Sequence, residues 1–186
     1  QPYFERSVDY VPPGQPFTPN GRGPVSRRDV PSNPLFDVFV KAGQQAGWPL
    51  TQDFNRDFYG VGRFHFNIAN GERWSTGRAL LLNPPPNLTI LLHARVLRLL
   101  VEGDRITGVE IAEGRTTRRL SAGETVLSAG SINSPMLLMQ SGIGPADHLS
   151  SLGIPVRHDL PGVGENLQDH LLIRVEHRCT QPITLH

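Results

Sequence analysis

The stretch "GSINSPMLLMQSGIG", Gly130 to Gly144, carries the pattern that decides the fold of this sequence. Glycines stand at both ends, a Ser-Pro pair stands near the middle, and four apolar residues follow it directly. Ser134 before Pro135 is typical of a helix N-cap followed by proline at the first helical position, where the missing N–H costs nothing. The pattern therefore predicts a short helix from Pro135 to about Gln140, ended by Gly142 in the left-handed conformation.

The six residues before Gly130 have the pattern of a strand. "ETVLSA", Glu124 to Ala129, contains the β-branched Thr125 and Val126 and predicts a short buried strand. A strand, a glycine turn and a helix N-terminus in succession lie, in open α/β sheets, at the carboxyl edge where cofactors bind. An ordinary βα connection has the same local shape, so both interpretations stay open at this point.

Further upstream, "LTILLHA" ends at Ala94 and is a continuous apolar run of the kind buried on both faces of a parallel sheet. The residues after it carry turn signals around Gly103, Gly114 and Gly123. The sequence therefore predicts a strand, an antiparallel meander from Val96 to Leu120, and a strand that returns to the main sheet.

The first 87 residues are predicted to form a helical and Pro/Gly-rich covering segment rather than a compact αβ core. Of the 186 residues, 19 are glycine and 17 are proline, and prolines cluster in "YVPPGQPFTPNGRGPV" and "NPPPN". Helical patterns occupy "PYFERSVDY", the segment from Asn33 to Gly47, and a short stretch beginning near Ser75. Aromatic residues from Phe54 to Trp74 are predicted to pack together, with pocket lining as the alternative.

The residues after Gly144 predict smaller elements. A short helix from Pro145 to about Leu152 is closed by Gly153, and "LLIRVEH" has the pattern of a strand. Between them, "GVGEN" is too short for a dinucleotide fingerprint and lacks the strand-turn-helix context.

Composition excludes several classes of function. A net charge of +1 gives no footprint for nucleic acid, and no apolar run reaches the length of a membrane span. Cys179 is the single cysteine, which excludes a disulfide framework and favours a reducing, cytoplasmic location. The seven histidines follow no HxH, HxxxH or HExxH spacing, so no metal site is predicted.

The long stretch "AGSINSPMLLMQSGIGPADHLSSLGIPVRHDLPGVGENLQDH" resembles the second signature region of the glucose-methanol-choline (GMC) oxidoreductases, flavoenzymes that oxidise alcohols with FAD. The similarity extends through "NGERWSTGRALL" and "NLTILLHARVLRLLVEGDRITGVE". Within the family, the sequence most resembles the choline-dehydrogenase-like branch. The following residues fill the constrained positions of the signature: Gly130, Ser131, Ser134, Pro135, Leu137, Leu138, Ser141, Gly142, Ile143 and Gly144.

The resemblance implies an α/β fold (α+β in this segment), part of an FAD-binding, glutathione-reductase-like Rossmann domain with a β-meander. It implies that residues 1–87 form a covering segment that is partly on the substrate side, that 88–170 are part of the FAD-binding domain, and that 171–186 begin the substrate-binding domain. By this analogy the backbone of Val96 meets the FAD adenine, and Ser128, Ala129 and Gly130 lie against the cofactor. Plain sheet packing is the alternative for each of the four.

The resemblance also marks what these 186 residues do not contain. The family's GxGxxG turn and its catalytic histidine are not among them, so the chain is expected to be an internal segment, inactive alone and without retained FAD. No residue is assigned a catalytic role, and His170 in "NLQDH" is not promoted to one.

The implied function is oxidation of a small primary alcohol, choline-like or other, to an aldehyde by hydride transfer to flavin. The alternatives are an FAD-containing hydroxynitrile lyase of the same fold and a non-catalytic isolated module. Membrane association through the electron acceptor is the alternative to a cytoplasmic location.

Overall fold

A computed structural model describes residues 2–3, 8–11, 25–28, 33–69, 71–176, 178 and 180. The chain divides into two compact units, Gln1–Leu88 with Val175–His186, and Thr89–Arg174. Cys179 and most of the predicted Pro/Gly-rich covering between residues 12 and 32 lie outside the described residues. Within the described part, no helix is both long and apolar enough to span a bilayer.

The first unit begins with a strand pair. Strand β1 (Val8–Val11) pairs in parallel with β2 (Val25–Arg28). The helix predicted for "PYFERSVDY" is therefore wrong from Val8 onward, although Pro2 and Tyr3 are helical. Val8, Tyr10 and Val11 are residues that favour strands, and the partner strand overrides the helical spacing.

Two helices of the first unit begin where the sequence predicts. Helix α1 (Pro34–Gln45) is capped by Asn33, whose side chain accepts the Leu35 N–H at 3.0 Å, and Gly47 follows its end with φ +90°. Strands β3 (Ile68–Ala69) and β4 (Glu72–Arg73) form a short antiparallel pair. Helix α2 (Thr76–Leu81) is capped by Ser75 Oγ, which accepts the Arg78 N–H at 3.2 Å.

The second unit is built on the predicted meander. Strands β5 (Ala94–Glu102), β6 (Arg105–Glu113) and β7 (Thr116–Ser121) are antiparallel in the order β5-β6-β7. The tight turns fall at the predicted glycines, Gly103 with φ +56° and Gly114 with φ +62°. The meander is therefore confirmed.

Helix α3 (Gly130–Gln140) starts earlier than the sequence predicts. Its N-cap is Ala129, and Pro135 lies inside the helix. Ser134 does not cap a helix that begins after it. Its Oγ reaches back and accepts the Ala129 N–H at 3.0 Å. The Ser134 hydroxyl thus binds the backbone of the N-cap residue from a position inside the helix. Gly142 ends the helix with φ +84°, as predicted.

The remaining elements are short. Strand β8 (Ile143–Gly144) pairs in parallel with β9 (His158–Asp159). Helix α4 (Ala146–Ser151) lies between them and is followed by Gly153 with φ +70°. The strand predicted for "LLIRVEH" is wrong, because residues 171–176 are irregular and Leu171 is 91% exposed.

The two predicted strands of the main sheet are not paired. Within the described residues, neither Leu88 to His93 nor Glu124 to Ser128 forms a ladder with another segment. Leu92 is 74% exposed and Val126 is 80% exposed. A strand of a parallel sheet takes its hydrogen bonds from neighbours distant in sequence, and the described residues supply none.

The core of the second unit joins α3 to the meander. Leu99 of β5, Leu137 of α3 and Ile143 of β8 are its fully buried centre. Five partly buried apolar residues pack around them: Val101, Ile106, Val109, Leu127 and Leu138. The core thereby fixes the position of α3 on one edge of the meander.

Candidate functional site

Three of the four residues that the resemblance assigns to the cofactor stand together at the start of α3. Ser128 ends the unpaired segment, Ala129 is the N-cap, and Gly130 is the first helical residue. All three are exposed. The three residues at which α3 begins are therefore not covered by any other described part of the chain.

Gly130 has a conformation that few residues other than glycine adopt. Its φ is +90°, and a Cβ added there would meet no atom of the described chain within 4 Å. The requirement for glycine in this chain is therefore backbone conformation alone. The same geometry leaves the face of Gly130 available for close approach of a ligand.

The N-terminus of α3 has the electrostatics of an anion-binding end. The first N–H groups of a helix have no intrahelical acceptor and carry the positive end of the helix dipole. No acidic residue occupies the first turn, and Ala129 offers no side-chain cap. Ser134 binds the Ala129 N–H and thus uses one donor. Ser131 and Ile132, like Gly130, are exposed.

The segment that leads into α3 has the side-chain alternation of a strand without its hydrogen bonds. Thr125 and Leu127 are partly buried, whereas Val126 and Ser128 are exposed. Thr125 Oγ1 is buried with no hydrogen-bond partner in the described part of the chain. Buried hydroxyls are normally paired, so this orphaned oxygen marks a place where a further polar group fits.

Val96, the fourth predicted residue, lies on β5 opposite Ile111. Its side chain is 37% exposed, and a register shift follows it between Val96 and Arg98. Helix α3 packs against β5, so the structure brings the elements of Val96 and Gly130 together. Within the described residues, no hydrogen bond joins Val96 to Ser128, Ala129 or Gly130.

Ser141 holds the other end of α3 and was identified from sequence only as a signature position. Its buried Oγ donates to the Leu137 carbonyl at 2.6 Å and accepts the Leu99 N–H at 2.9 Å. The hydroxyl therefore ties the helix to the outer edge of β5, where no further strand of the described residues supplies a partner. A serine directly before the helix-ending Gly142 is the sequence signal that could have found it.

The charged residues of the meander form ion pairs on its surface. Glu110 accepts hydrogen bonds from Arg98 Nε at 2.7 Å and from Arg119 Nε at 3.3 Å. The hydrogen bond from Arg98 is the main cause that lowers the pKa of Glu110, and partial desolvation opposes it. Arg118 lowers the pKa of Glu113 in the same way. A carboxylate with a lowered pKa is a poor proton acceptor, so these pairs are structural.

The aromatic residues of the first unit only partly follow the prediction that they pack. Trp48 and Tyr59 have ring centroids 5.0 Å apart, and Phe54 and Phe64 lie 5.4 Å apart. Phe58 is nevertheless 89% exposed. The pairs confirm packing for some of the rings, whereas Phe58 takes part in neither ring pair.

The described residues contain no group of three or more histidine, cysteine or acidic side chains arranged to hold a metal ion. His170 donates its backbone N–H to Asp169 Oδ1 at 2.8 Å.

The described part of the chain is thus a mixed α/β protein, in which a β-meander carries a glycine-started helix on its edge. The chain belongs to the GMC oxidoreductase family, whose model matches residues 1–172.

Relatives are similar over the whole chain. The oxygen-dependent choline dehydrogenase of Brucella ovis is 45% identical over 191 aligned residues, which cover 100% of this chain and 34% of the relative. The mitochondrial choline dehydrogenase of Mus musculus is 44% identical, with 100% and 32% covered. The chain therefore spans about a third of the length of the curated relatives it matches.

Solved structures show the same fold. A pyridoxine 4-oxidase from Mesorbium loti matches with a TM-score of 0.70 and 31% identity, over 86% of this chain and 32% of that one. An FAD-dependent oxidoreductase from Chaetomium thermophilum matches with a TM-score of 0.72 and 28% identity, over 87% and 31%. The resemblance seen in the sequence is confirmed at the level of family and fold.

Proposed function

We propose that this chain is part of an FAD-dependent oxidoreductase that oxidises a small primary alcohol, choline-like or other, to an aldehyde. The observation that carries the proposal is the start of α3, where an exposed glycine with φ +90° begins a helix whose first turn holds no acidic residue. Choline dehydrogenases 44–45% identical over the chain support the substrate class.

The residues present fit FAD. Ser128, Ala129 and Gly130 offer exposed backbone beside a helix N-terminus, which suits an anionic dinucleotide. Val96 lies on the strand against which that helix packs and would contribute backbone groups to the adenine. Thr125 Oγ1, in the segment that leads into α3, is a buried hydroxyl without a hydrogen-bond partner among the described residues, so a polar group of the cofactor would find a partner there. When bound, the flavin supplies the acceptor for the hydride of the alcohol carbon.

The proposal assigns a different role to each of three segments of the chain. Residues 88–170 form part of the FAD-binding domain, residues 1–87 part of the substrate-side covering, and residues 171–186 begin the substrate-binding domain. The unpaired apolar segments on both sides of the meander support this, because they have the composition of strands that a larger sheet would bury. Exposed rings such as Phe58 fit the covering role. A cytoplasmic location, with membrane association through the electron acceptor as the alternative, belongs to the same proposal.

The test uses a longer protein that carries this segment within its full reading frame. We expect a flavin absorbance spectrum that bleaches when choline or another primary alcohol is added under exclusion of oxygen. Bound flavin that no alcohol bleaches, together with release of cyanide from a hydroxynitrile, would favour a lyase. A folded protein with no bound flavin would contradict the proposal and favour the non-catalytic module.

A further inference from the structure

The motif "GVGEN" has no place in the function proposed above, yet its second glycine lies directly on α3. Gly164 has φ +84°. A Cβ added there would lie 3.0 Å from Met139 Cε and 4.0 Å from Pro135 Cβ, and both neighbours belong to α3. An alanine at Gly164 would therefore require the terminal methyl group of Met139 to shift by a few tenths of an ångström.

Met139 meets a second glycine at another point of its side chain. A Cβ added at Gly144 of β8 would lie 2.9 Å from Met139 Cγ, and 3.7 Å from the nearer methyl carbon of Leu149. Gly144 is fully buried and Leu149 has no exposed surface. The side chain of Met139 is thus bounded by the backbone of β8 at Cγ and by the backbone of the loop at Cε.

Backbone hydrogen bonds hold the loop in this position. The Leu160 N–H donates to the Gly144 carbonyl at 3.0 Å, and the Arg157 N–H donates to the Gly142 carbonyl at 2.8 Å. Val163 then turns back on Leu160 with an N–H to carbonyl distance of 3.1 Å. The loop is consequently anchored just beyond the end of α3. It then returns to the helix, where Gly164 lies beside Met139 and Pro135.

We propose that Gly144 and Gly164 are positioning residues that seat Met139 and thereby fix where α3 presents Ala129 and Gly130 to FAD. The inference rests on the proposed function and extends it to residues remote in sequence from Gly130. Well-packed interiors transmit such displacements, because a side chain forced into a filled site moves its neighbours.

Four glycine-to-alanine variants of the longer protein separate contact from backbone strain. Gly144→Ala adds the contact without a left-handed φ, and Gly164→Ala adds both. Gly153→Ala adds a strained φ of +70° with no neighbour within 4 Å, and Gly162→Ala adds neither. The measured quantity is the dissociation constant for FAD, at a temperature at which circular dichroism shows each variant fully folded.

We expect Gly144→Ala and Gly164→Ala to weaken FAD binding by about tenfold, and the two controls by less than about twofold. Adding Met139→Ala to Gly144→Ala should restore part of the affinity, because it removes the atoms that the new Cβ displaces. A merely structural role would lower the melting temperature and leave the dissociation constant unchanged.

Equal FAD affinity in folded Gly144→Ala, Gly164→Ala and control variants would overturn the inference. If Gly144→Ala does not fold, Met139→Ala alone decides: it empties the same space, so unchanged FAD affinity would overturn the inference and weakened affinity would support it. A wild-type longer protein that binds no FAD would contradict the proposed function itself, whereas variants as tight as a flavin-binding wild type contradict only this inference.

Discussion

The meander from Ala94 to Ser121 and the two segments that flank it, Leu88–His93 and Glu124–Ser128, differ in how their backbones are hydrogen-bonded. The meander pairs every strand with its neighbour in sequence and is joined by tight glycine turns. The flanking segments also carry apolar residues at their centres, yet they form no ladder among the described residues and expose Leu92 and Val126.

The difference separates local from non-local pairing. An antiparallel hairpin brings its partner within a few residues, so the sequence that codes it is sufficient to form it. A strand of a parallel sheet receives its partners through long crossover connections, and its apolar composition alone cannot supply them. The meander is therefore a self-sufficient element, whereas the lack of a ladder in the flanking segments among the described residues fits the proposal that a larger sheet buries them.

The largest effect is expected where the meander itself is broken. A Cβ added at Gly108 would lie 2.0 Å from the Leu120 carbonyl oxygen, so Gly108→Ala must separate β6 from β7. We expect a loss of about 4 kcal/mol or more in the free energy of unfolding. Urea unfolding followed by circular dichroism measures it, with Gly123→Ala, which meets no atom within 4 Å, as the control. A change below about 1 kcal/mol would show that the strands are not held at this spacing.

Hydrogen exchange tests the comparison directly. The sequence predicts strands and a helix throughout the region from Leu88 to Leu138, whereas the structure has regular hydrogen bonding there only in β5–β7 and α3 among the described residues. Amides of Leu88–His93 and Glu124–Ser128 should exchange about a hundredfold faster than those of the meander, because they lie outside any ladder of the described residues. In a longer protein with bound flavin, both segments should become protected. If the amides of the two flanking segments exchanged as slowly as those of the meander in this chain, the proposed difference between local and non-local pairing would be contradicted.

A smaller effect is expected at the joint between the meander and α3. Ser141→Ala leaves the Leu99 N–H without its acceptor, so it should cost about 1–3 kcal/mol of stability. Ser150→Ala changes an exposed serine of α4 and should cost nearly nothing. If both variants unfold at the same urea concentration as the wild type, the buried hydroxyl does not hold the helix in place.

The smallest effect belongs to the surface ion pairs. The folded-state pKa of Glu110 is lowered below its ordinary value of 4.5, chiefly by the hydrogen bond from Arg98. Its contribution is therefore fully present above that ordinary value and is lost as the pH falls through the lowered pKa. In Glu110→Gln, the free energy of unfolding should fall only slightly less steeply with decreasing pH than in the wild type. Added salt should reduce this difference between the variant and the wild type. A larger stability loss in Glu110→Gln than in Ser141→Ala at neutral pH would refute this ranking.

The sequence predicts features whose causes are local. The helix boundaries predicted at Asn33, near Ser75 and at Gly142 are confirmed, because the side chains or backbones of these residues act on adjacent residues. The start of α3 is missed because Ser134 can cap in two directions, and only the structure shows it reaching back to Ala129. The resemblance supplied the candidate cofactor residues, since no spacing rule distinguishes a βα connection from a cofactor edge.

The contacts that hold α3 could not be predicted, because they depend on how the chain folds back on the helix rather than on any spacing rule. Ser141 binds Leu99 across the unit, and Met139 meets Gly144 and Gly164 from two directions. A glycine that packs against a helix has the same sequence signature as one in a turn.

The flavin-to-protein absorbance ratio of Gly130→Val in the longer protein tests the central claim most directly. Gly153→Val is its matched control, because Gly153 also has a left-handed φ and no neighbour within 4 Å of an added Cβ. Valine is strained at both positions, because each has a φ in the left-handed region, so a large difference between the two variants reports on what approaches Gly130. We predict a wild type and a Gly153→Val protein with stoichiometric flavin, and a folded Gly130→Val protein with little or none. A folded Gly130→Val protein with full flavin occupancy would contradict the account and leave this stretch an ordinary βα connection.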